Sequence, residues 1–411
     1  MSKFIKLSWR NIWRNKRRSF LTIAAIAFAI LIVAVTRSLQ YGVYDTMESL
    51  AVRLYNGEIQ IHRYGFQDEQ TLTFFLVEDE QNWQSILQNY PEIEAYSRRI
   101  TSFGLVSSDS ASSGALIVGI EPEKESEITR FASMVIKGKE LKSGDDHMVL
   151  IGLTLAKNLQ VDVGDTLVIL TQGYRNELGA DSFVIKGLVR VGQSDLDRAM
   201  MIMLLHNAQV LFSLTKGITQ VVFRTTNFRK ANYFAAFLNA DLNNGRYEIL
   251  SWEELMPELK QIIFIDNISG AIYLTFLLIV VGFEIFNMTM MSVVERTREF
   301  GILQAIGMKP NQISKLIFLE SLLKILISIG VGMIISLVVI SILSQHPIPL
   351  SKDIKEAYSN YGFVLEDLKF SGKVRVYFEP IVSITIIALL ALFYPLFKTA
   401  KLTPMEAFRK T

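Results

Sequence analysis

The sequence contains no cysteine among its 411 residues, which excludes disulfide bonds and thiolate metal sites. Its four histidines lack the spacing of metal ligands, so we interpret them as ordinary surface or hydrogen-bonded side chains: His62, His147, His206 and His346. A P-loop, a G-x-S-x-G motif and an H-E-x-x-H motif are also missing from the sequence. We therefore predict no catalytic residue, no metal and no cofactor in this chain. The net charge of +2 gives no sign of nucleic-acid binding, and we expect no nucleic-acid partner.

Acidic residues are absent before Asp45, whereas seven lysines and arginines precede the first long apolar run. Four such runs, at 20–36, 268–294, 325–343 and 381–397, meet or nearly meet the roughly 17–25 residues that span a bilayer. The basic excess predicts a cytoplasmic N-terminus, and four spans then return the C-terminus to the cytoplasm. The first run is long and lacks a small-x-small cleavage site, which indicates an uncleaved signal-anchor.

The basic segment at residues 3–18 predicts an amphipathic helix. Its cations recur at helical spacing, and two tryptophans, Trp9 and Trp13, lie on the adjoining side. Such a helix suits a membrane surface, where indole rings lie at the interface and cations face lipid phosphates. The same residues also act as a topology signal, and the two interpretations are compatible.

The 41–267 segment predicts a large mixed α/β extracytoplasmic domain. Several stretches alternate or are β-rich, including "GEIQIHRYG", "FVIKGLVRVG" and "QVVFRTT". "TLAKNLQVDVGDTLVIL" predicts a helix, a turn at Gly164-Asp165 and a strand. Ser251 and Glu254 form a capping box for a helix that leads into the second span. A final short helix is predicted after Thr403-Pro404.

The fold class follows from these segments: a membrane protein with four transmembrane α-helices and the α/β domain between the first and second. We divide the chain into 1–40 (amphipathic helix and first span), 41–267 (extracytoplasmic domain) and 268–411 (spans two to four).

A compact charged segment follows the second span: "SVVERTREFGILQAIGMKP", residues 292–310. Glu295 and Arg298 have the i, i+3 spacing of a weak ion pair, worth a few tenths of a kcal/mol. Composition alone leaves two interpretations open, a solvated helix end and a helix that docks on a partner. Gly307 is suited to end this helix, and Pro310 to begin the next.

The order of residues here resembles the FtsX/MacB/LolE superfamily of ABC transporter permeases, whose E-R-T-R-E-x-G-I-x-x-A-x-G run it matches. "LSWRNIWRNKRRSFLTI", "LAKNLQVDVGDTLVIL" and "YPLFKTAKLTPMEAFRK" resemble other parts of that family, so the likeness covers nearly the whole chain in order. "LYNGEIQIHRYGFQDEQTL" favours the LolC/LolE branch of lipoprotein-releasing permeases.

The resemblance implies a coupling helix at about 295–307 that docks on a separate ABC ATPase, where ATP and Mg are bound. Its coupling residues map onto Glu295, Arg296, Thr297, Arg298, Glu299 and Gly301. The sequence itself allows such docking, because an apolar set beside these charges is suited to a partner groove: Phe300, Leu303 and Ile306. The implied protein is a non-catalytic permease subunit in a bacterial inner membrane. A second permease copy or paralogue, membrane lipids and a lipoprotein substrate are the other implied partners. The alternatives are a MacB-like export permease and an FtsX-like scaffold that regulates a cell-wall hydrolase.

Four polar residues lie within or near the predicted spans. Glu284 is near the middle of the second span, where a charged side chain costs roughly 2.5–3.5 kcal/mol. It either faces a cavity between two permease subunits or forms a packing hydrogen bond, for example to Asn287; the family more often has an apolar residue or glycine there. Glu320 and Lys324 form an i, i+4 pair, and Gly330 and Gly332 offer a face for close helix packing.

Overall fold

The computed structural model describes residues 2–78, 83–191, 194–242, 245–351, 355 and 367–401. The predicted C-terminal helix after Thr403 lies outside these residues. The first ten α-helices are α1 (Ser2–Arg14), α2 (Lys16–Ala51), α3 (Phe66–Glu69), α4 (Trp83–Asn89), α5 (Pro122–Ile128), α6 (Leu153–Leu159), α7 (Ser194–Ala199), α8 (Leu205–Leu211), α9 (Ala231–Leu242) and α10 (Trp252–Leu255). The others given for the described residues are α11 (Pro257–Glu295), α12 (Thr297–Ala305), α13 (Pro310–Gln345) and α14 (Val374–Ala400).

The β-strands of the described residues follow in the same way. They are β1 (Ile59–Arg63), β2 (Leu76–Val77), β3 (Ile93–Ser107), β4 (Ser112–Ile120), β5 (Val135–Gly138), β6 (Met148–Gly152), β7 (Thr166–Gln172), β8 (Leu178–Val189), β9 (Met200–Leu204), β10 (Gly217–Ile218), β11 (Gln220–Thr225), β12 (Tyr247–Ser251), β13 (Ile348–Pro349) and β14 (Asp367–Leu368).

Within the described residues, four helices are long and apolar enough to cross a membrane: α2 with its π-helical continuation to Asn56, α11, α13 and α14. Each contains one of the four apolar runs, so the predicted fold class is confirmed. Ile26, Ile30 and Val33 of α2 share a buried cluster with Ile285 of α11 and with residues of α13 and α14. The chain is thus a multi-pass membrane protein.

The small-residue face of α13 packs within the chain. Gly332 is buried, and a Cβ added there would lie 3.0 Å from the Ala27 carbonyl oxygen and 3.0 Å from the Ile30 side chain. Ser328 and Ser336 are buried on the same face, whereas Gly330 faces open space. Close packing of α13 on α2 therefore accounts for this face.

The N-terminal helix is shorter than predicted. The sequence pattern suggested one helix over 3–18, but α1 ends at Arg14 and α2 begins at Lys16. Asn15 lies at the break, and asparagine disfavours a helix interior because its side chain can hydrogen-bond nearby backbone groups. The Ser19 hydroxyl donates to the Ile12 carbonyl oxygen at 2.7 Å across the bend. Trp9 and Trp13 are exposed, as a membrane-surface helix requires.

The α/β domain is built on a ten-stranded sheet with the order β12-β1-β11-β3-β4-β9-β6-β8-β5, and β7 pairs with β3 and β8. Its ladders are antiparallel except β4–β9 and β6–β8. The predicted turn at Gly164-Asp165 precedes β7, and Gly164 has φ +99°. The Ser251–Glu254 capping box forms, but α10 ends at Leu255. Pro257 disfavours helical dihedrals at Met256, so α11 starts as a new helix.

An ion pair at the centre of this domain was not predicted. Arg99 and Glu125 are fully buried and joined by two hydrogen bonds of 2.6 and 2.9 Å. The guanidinium also lies 5.2 Å from the Tyr55 ring and 5.1 Å from the Phe131 ring. Removing one partner would leave an uncompensated charge in the core.

The described chain forms two compact units by its contacts. One comprises residues within Met1–Asp45, Ile263–Pro349 and Asp367–Thr411, and the other residues within Thr46–Ile262 and Leu350–Glu366. The predicted divisions, at 40/41 and 267/268, each differ by five residues from the boundaries at 45/46 and 262/263.

Candidate coupling site

The charged segment forms a separate short helix, α12, between α11 and α13. Arg296 has φ −101° and ψ 10°, so the chain leaves α11 there before α12 begins. Gly307 adopts φ +101° and ends α12. The Met308 N–H donates to the Leu303 carbonyl and the Gly307 N–H to the Gln304 carbonyl, at 3.0 and 2.9 Å. This is the Schellman pattern, in which glycine takes the left-handed position without a Cβ clash.

Arg296 joins α12 to α13. Its Nη1 lies 2.8 Å from Glu320 Oε2, and Lys324 Nζ lies 2.9 Å from the other Glu320 oxygen. The Glu320 side chain is only 8% exposed, so two cations balance one nearly buried carboxylate. The Arg296 guanidinium also lies 5.2 Å from the Phe300 ring. Arg296 is therefore a structural connection with little surface left for a partner.

Glu299 joins α12 to α1. It lies 2.7 Å from Arg14 Nη2 and 3.2 Å from Arg296 Nε. The hydrogen bond from Arg14, together with the smaller contribution of Arg296, lowers the pKa of Glu299 below its usual value. The pair is half exposed, so its contribution to stability is small. It nevertheless fixes which face of α12 is turned toward α1.

Glu295 makes a third connection, but not the predicted one. It contacts Arg18 of α2 instead of Arg298. Arg18 also donates to the Met288 carbonyl at 3.0 Å. Thr297 donates its hydroxyl to the Val293 carbonyl at 2.9 Å, and Gly301 is buried. Four of the six predicted coupling residues are thus ion-paired or hydrogen-bonded inside the membrane unit, and a fifth is buried there.

The apolar side of α12 faces inward. Phe300 is 1% exposed and forms a cluster with Val293, Ile313 and Ile317, against which Leu303 packs. The expectation that Phe300 contributes to a docking surface is therefore wrong. The helix is too short for its sequence pattern to reveal which apolar side chains face α13.

The outward side of α12 carries Arg298, Ile302 and Ile306. Arg298 is exposed and has no ion pair among the described residues. Ile302 is 46% exposed and Ile306 is 79% exposed. The spacing of four residues places these three side chains along one face of the helix. A cation beside two exposed isoleucines is suited to contact another protein.

Glu284 and Asn287 lie on an exposed face of α11, and neither makes a hydrogen bond within the described part of the chain. The suggested bond between them is not made. In the most hydrophobic stretch of α11, only 11% is buried, whereas 28–39% is buried in the corresponding stretches of the other three spans. Glu284 is eleven residues before Glu295, or about 16 Å along the helix axis, which places it deep in the apolar stretch.

A second charged cluster lies at the opposite end of the spans and was not predicted. Glu379 of α14 accepts a hydrogen bond from Tyr41 at 2.8 Å and from Arg375 at 2.5 Å, and lies 3.4 Å from Arg37. Arg18 and Arg37 are 19 residues apart on α2, which corresponds to about 28 Å. That distance matches the roughly 30 Å thickness of the hydrocarbon core, so the two arginines mark the two ends of the first span. Their spacing is visible in the sequence.

The described residues contain no group of three or more side chains arranged to hold a metal ion. The site therefore consists of ion pairs, an inward apolar cluster and an outward face on α12. Such an arrangement can bind a partner and pass on a displacement.

Comparisons with known proteins cover both units. Residues 19–237 match the family described as MacB-like periplasmic core domain, and residues 271–404 match FtsX-like permease C-terminal. LolC of Xylella fastidiosa, a lipoprotein-releasing system transmembrane protein, is 25% identical over 72% of this chain and 73% of its own length. The macrolide export ATP-binding/permease protein MacB of Hahella chejuensis is 29% identical over 32% of this chain and 18% of its own. The crystal structure of the periplasmic region of MacB from Actinobacillus actinomycetemcomitans aligns over 49% of this chain and 92% of that one, with 12% identity and a TM-score of 0.35.

Proposed function

The chain belongs to the FtsX/MacB-like family of ABC transporter permeases, and we propose that it is the membrane subunit of a complex that releases lipoproteins from a bacterial inner membrane. The observation that carries this proposal is the likeness to LolC, which extends over 72% of the chain. The family implies a partner ATPase. We place ATP and Mg on that partner, because this sequence has no P-loop.

The ATPase docks, in this proposal, on the outward face of α12. Arg298, Ile302 and Ile306 supply one charge and two apolar contacts that this chain leaves uncovered. The proposal requires α12 and both termini to be cytoplasmic, as the basic residues before the first span suggest. The predicted coupling residues then have two roles: Arg298 contacts the ATPase, and the others hold α12.

Movement of α12 would pass to α13 through Arg296 and Glu320 and to α1 through Glu299 and Arg14. These contacts are 2.7–2.8 Å long, and the Arg14–Glu299 pair links residues that are 285 positions apart. The resemblance to the permease family implies that the second span, within α11, carries ATP-driven motion to the α/β domain by mechanical transmission. The ion pairs support transmission from α12 to two further elements, α1 and α13, without an alternating-access pore.

A second permease subunit, a copy or a paralogue, covers Glu284 and Asn287 in this proposal. A charged side chain deep in the bilayer costs roughly 2.5–3.5 kcal/mol when lipid faces it. Neither residue has a partner within the described chain. An interface along α11 would give Glu284 hydrogen-bond donors and would also cover the apolar side chains around it.

Depletion of the protein tests the proposed substrate. We expect lipoproteins destined for the outer membrane to remain in the inner membrane when the protein is depleted and no paralogue replaces it. Normal delivery under those conditions would exclude lipoprotein release. Depletion of an unrelated inner-membrane transporter is the control for general envelope stress.

A MacB-like export permease is the second candidate, favoured by the likeness to Hahella MacB over about a third of the chain. It predicts that depletion leaves lipoproteins in place and raises cellular sensitivity to an exported compound. A neighbouring gene for a periplasmic adaptor would favour it. An FtsX-like scaffold would instead alter cell-wall hydrolysis.

A further inference from the structure

A cavity of about 170 Å³ opens on one face of the large sheet in the α/β domain. Its floor comes from β1, β3, β4 and β11, and its walls from α3, α10 and the π-helical turn at Val52–Asn56. Exposed Phe103 and Gln70 lie at its mouth. A water needs about 10–15 Å³ by the same measure, so the cavity has room for on the order of ten waters.

The lining of the cavity is polar but uncharged. It contains no aspartate, glutamate, lysine or arginine. Five of its side chains are amides: Asn56, Gln60, Gln67, Gln70 and Gln220. Three aromatic rings, of Tyr55, Phe66 and Phe103, complete much of the remaining wall. An amide supplies both donors and an acceptor. The cavity therefore disfavours ions and favours a neutral ligand that both donates and accepts hydrogen bonds.

His62 is an unsatisfied acceptor in the cavity wall. It is 1% exposed, and its Nε2 lies 2.8 Å from Gln60 Oε1, so Nε2 is the donor and Nδ1 carries the lone pair. Nδ1 is buried and makes no hydrogen bond of good geometry with the described residues, although the neighbouring Gln220 side chain interacts with the ring. Gln220, opposite His62 on β11, donates its amide to Thr101 at 2.8 Å. A buried acceptor without a donor costs free energy until a ligand or water supplies one.

The polar side chains around His62 differ in whether they already make a hydrogen bond within the protein. Gln60 donates to the Asn56 carbonyl at 2.6 Å, which holds it in place. The side chains of Gln67, Gln70 and Ser102 make no hydrogen bond within the described chain. The site thus combines a fixed acceptor deep inside with free amide and hydroxyl groups nearer the mouth.

We propose that this cavity binds an uncharged pyranose sugar. A sugar hydroxyl donates to His62 Nδ1, and its neighbours accept from the amides of Gln67 and Gln70. The apolar face of the ring packs on the aromatic wall formed by Phe66 and Tyr55. A sugar offers vicinal groups that donate and accept at once, which matches an amide lining better than an anion or an aliphatic chain does. Burial lowers the pKa of His62 to about 4, so the imidazole is neutral at pH 7 and Nδ1 remains a hydrogen-bond acceptor.

The test uses the full-length protein in detergent, labelled with ¹⁵N-histidine. The sequence has only four histidines, and a His62→Asn variant assigns the His62 signals. N-acetylglucosamine is titrated as the probe, with glucuronate as the anionic counterpart and N-acetyl-Ala-Ala-amide as the neutral peptide counterpart. We expect N-acetylglucosamine to shift the His62 Nδ1 resonance saturably and to bind at least tenfold more tightly than either counterpart.

Two glutamine variants locate the effect. Gln67→Leu removes a free amide at the cavity and should weaken sugar binding at least tenfold. Gln84→Leu changes an exposed glutamine on α4, outside the cavity, and should leave binding unchanged. The proposal is overturned if N-acetylglucosamine gives no saturable shift, if the peptide binds as tightly as the sugar, or if both glutamine variants behave alike. This test is independent of whether lipoproteins are the transported substrate.

Discussion

Charge reversal at Arg298 and at Arg296 should produce different defects, although the two residues are only two positions apart. Arg298 is exposed and without an ion pair in the described chain. The Arg296 side chain is 16% exposed and lies 2.8 Å from Glu320. We expect Arg298→Glu to weaken ATPase binding while the permease stays stable. Arg296→Glu should lower the stability of the permease itself.

The sizes of the two effects follow from burial. A surface substitution without partners changes folding by about ±0.5 kcal/mol, whereas losing a charge desolvated in an interface costs about 2–5 kcal/mol. Arg298→Glu should therefore weaken ATPase binding at least roughly thirtyfold. Breaking a buried ion pair costs about 3–5 kcal/mol. We expect about 3–5 kcal/mol for Arg296→Glu, because the new carboxylate faces Glu320 while Lys324 alone balances it.

The assay measures both properties on the same preparations. Tagged permease is purified from cells that contain the ATPase, and the ATPase retained is quantified. Heat stability is followed by the loss of the monodisperse peak in size-exclusion chromatography. Arg198→Glu, an exposed arginine in the α/β domain, is the matched control. Retention of normal ATPase binding by Arg298→Glu, or an equal loss of heat stability in both variants, would refute this assignment.

Three further substitutions follow from the structure. Gly307→Ala forces an L residue to φ +101° with open space around its Cβ, so the backbone alone should cost about 1–2 kcal/mol in thermal unfolding; an unchanged midpoint would contradict the Schellman assignment. Glu284→Leu should insert normally but reduce cross-linking between permease subunits, and undiminished cross-linking would exclude an interface at this point. The pKa of folded His62 is about 4, below the unfolded value of about 6.5, so the unfolded state binds more protons between these values. Stability should therefore fall by up to about 3 kcal/mol as pH drops from about 6.5 to 4, and His62→Phe should remove this dependence in pH-resolved denaturation.

The spans and several local elements were predictable because their signals are local. A run of about twenty apolar residues identifies a span without knowledge of its neighbours. The Ser251–Glu254 capping box and the Gly307 end of α12 depend on residues within one turn. Each of these features is present where the sequence indicated it.

The partners of the charged residues were not predictable for the opposite reason. Arg14 and Glu299 are 285 residues apart in the sequence. No sequence spacing connects these two residues. The i, i+3 rule for ion pairs on one helix predicted a pair between Glu295 and Arg298 instead. Phe300 and Ile306 are both apolar residues of one short helix, yet one is buried and the other is exposed. Only the position of α13 decides between them.

The cavity of the α/β domain was missed because its polar residues are scattered along the chain. Gln60 and His62 come from β1, and Gln220 comes from a strand more than 150 residues later. Strand pairing places His62 opposite Gln220. Separately, each residue fits an ordinary half-buried strand.

The ion pairs around α12 involve Glu295, Arg296 and Glu299, so most charged side chains of this segment already have a partner. Glu299 and Arg296 bind elements on two sides of α12, so a force on the helix acts on α1 and α13 together. A freely solvated helix would absorb that force by tilting, because exposed pairs contribute little. The nearly buried Glu320 and the inward Phe300 oppose such tilting, since both would lose their contacts. The single exposed, unpaired arginine on the described α12 is then the position where a partner can act on the connected helices without breaking an existing ion pair.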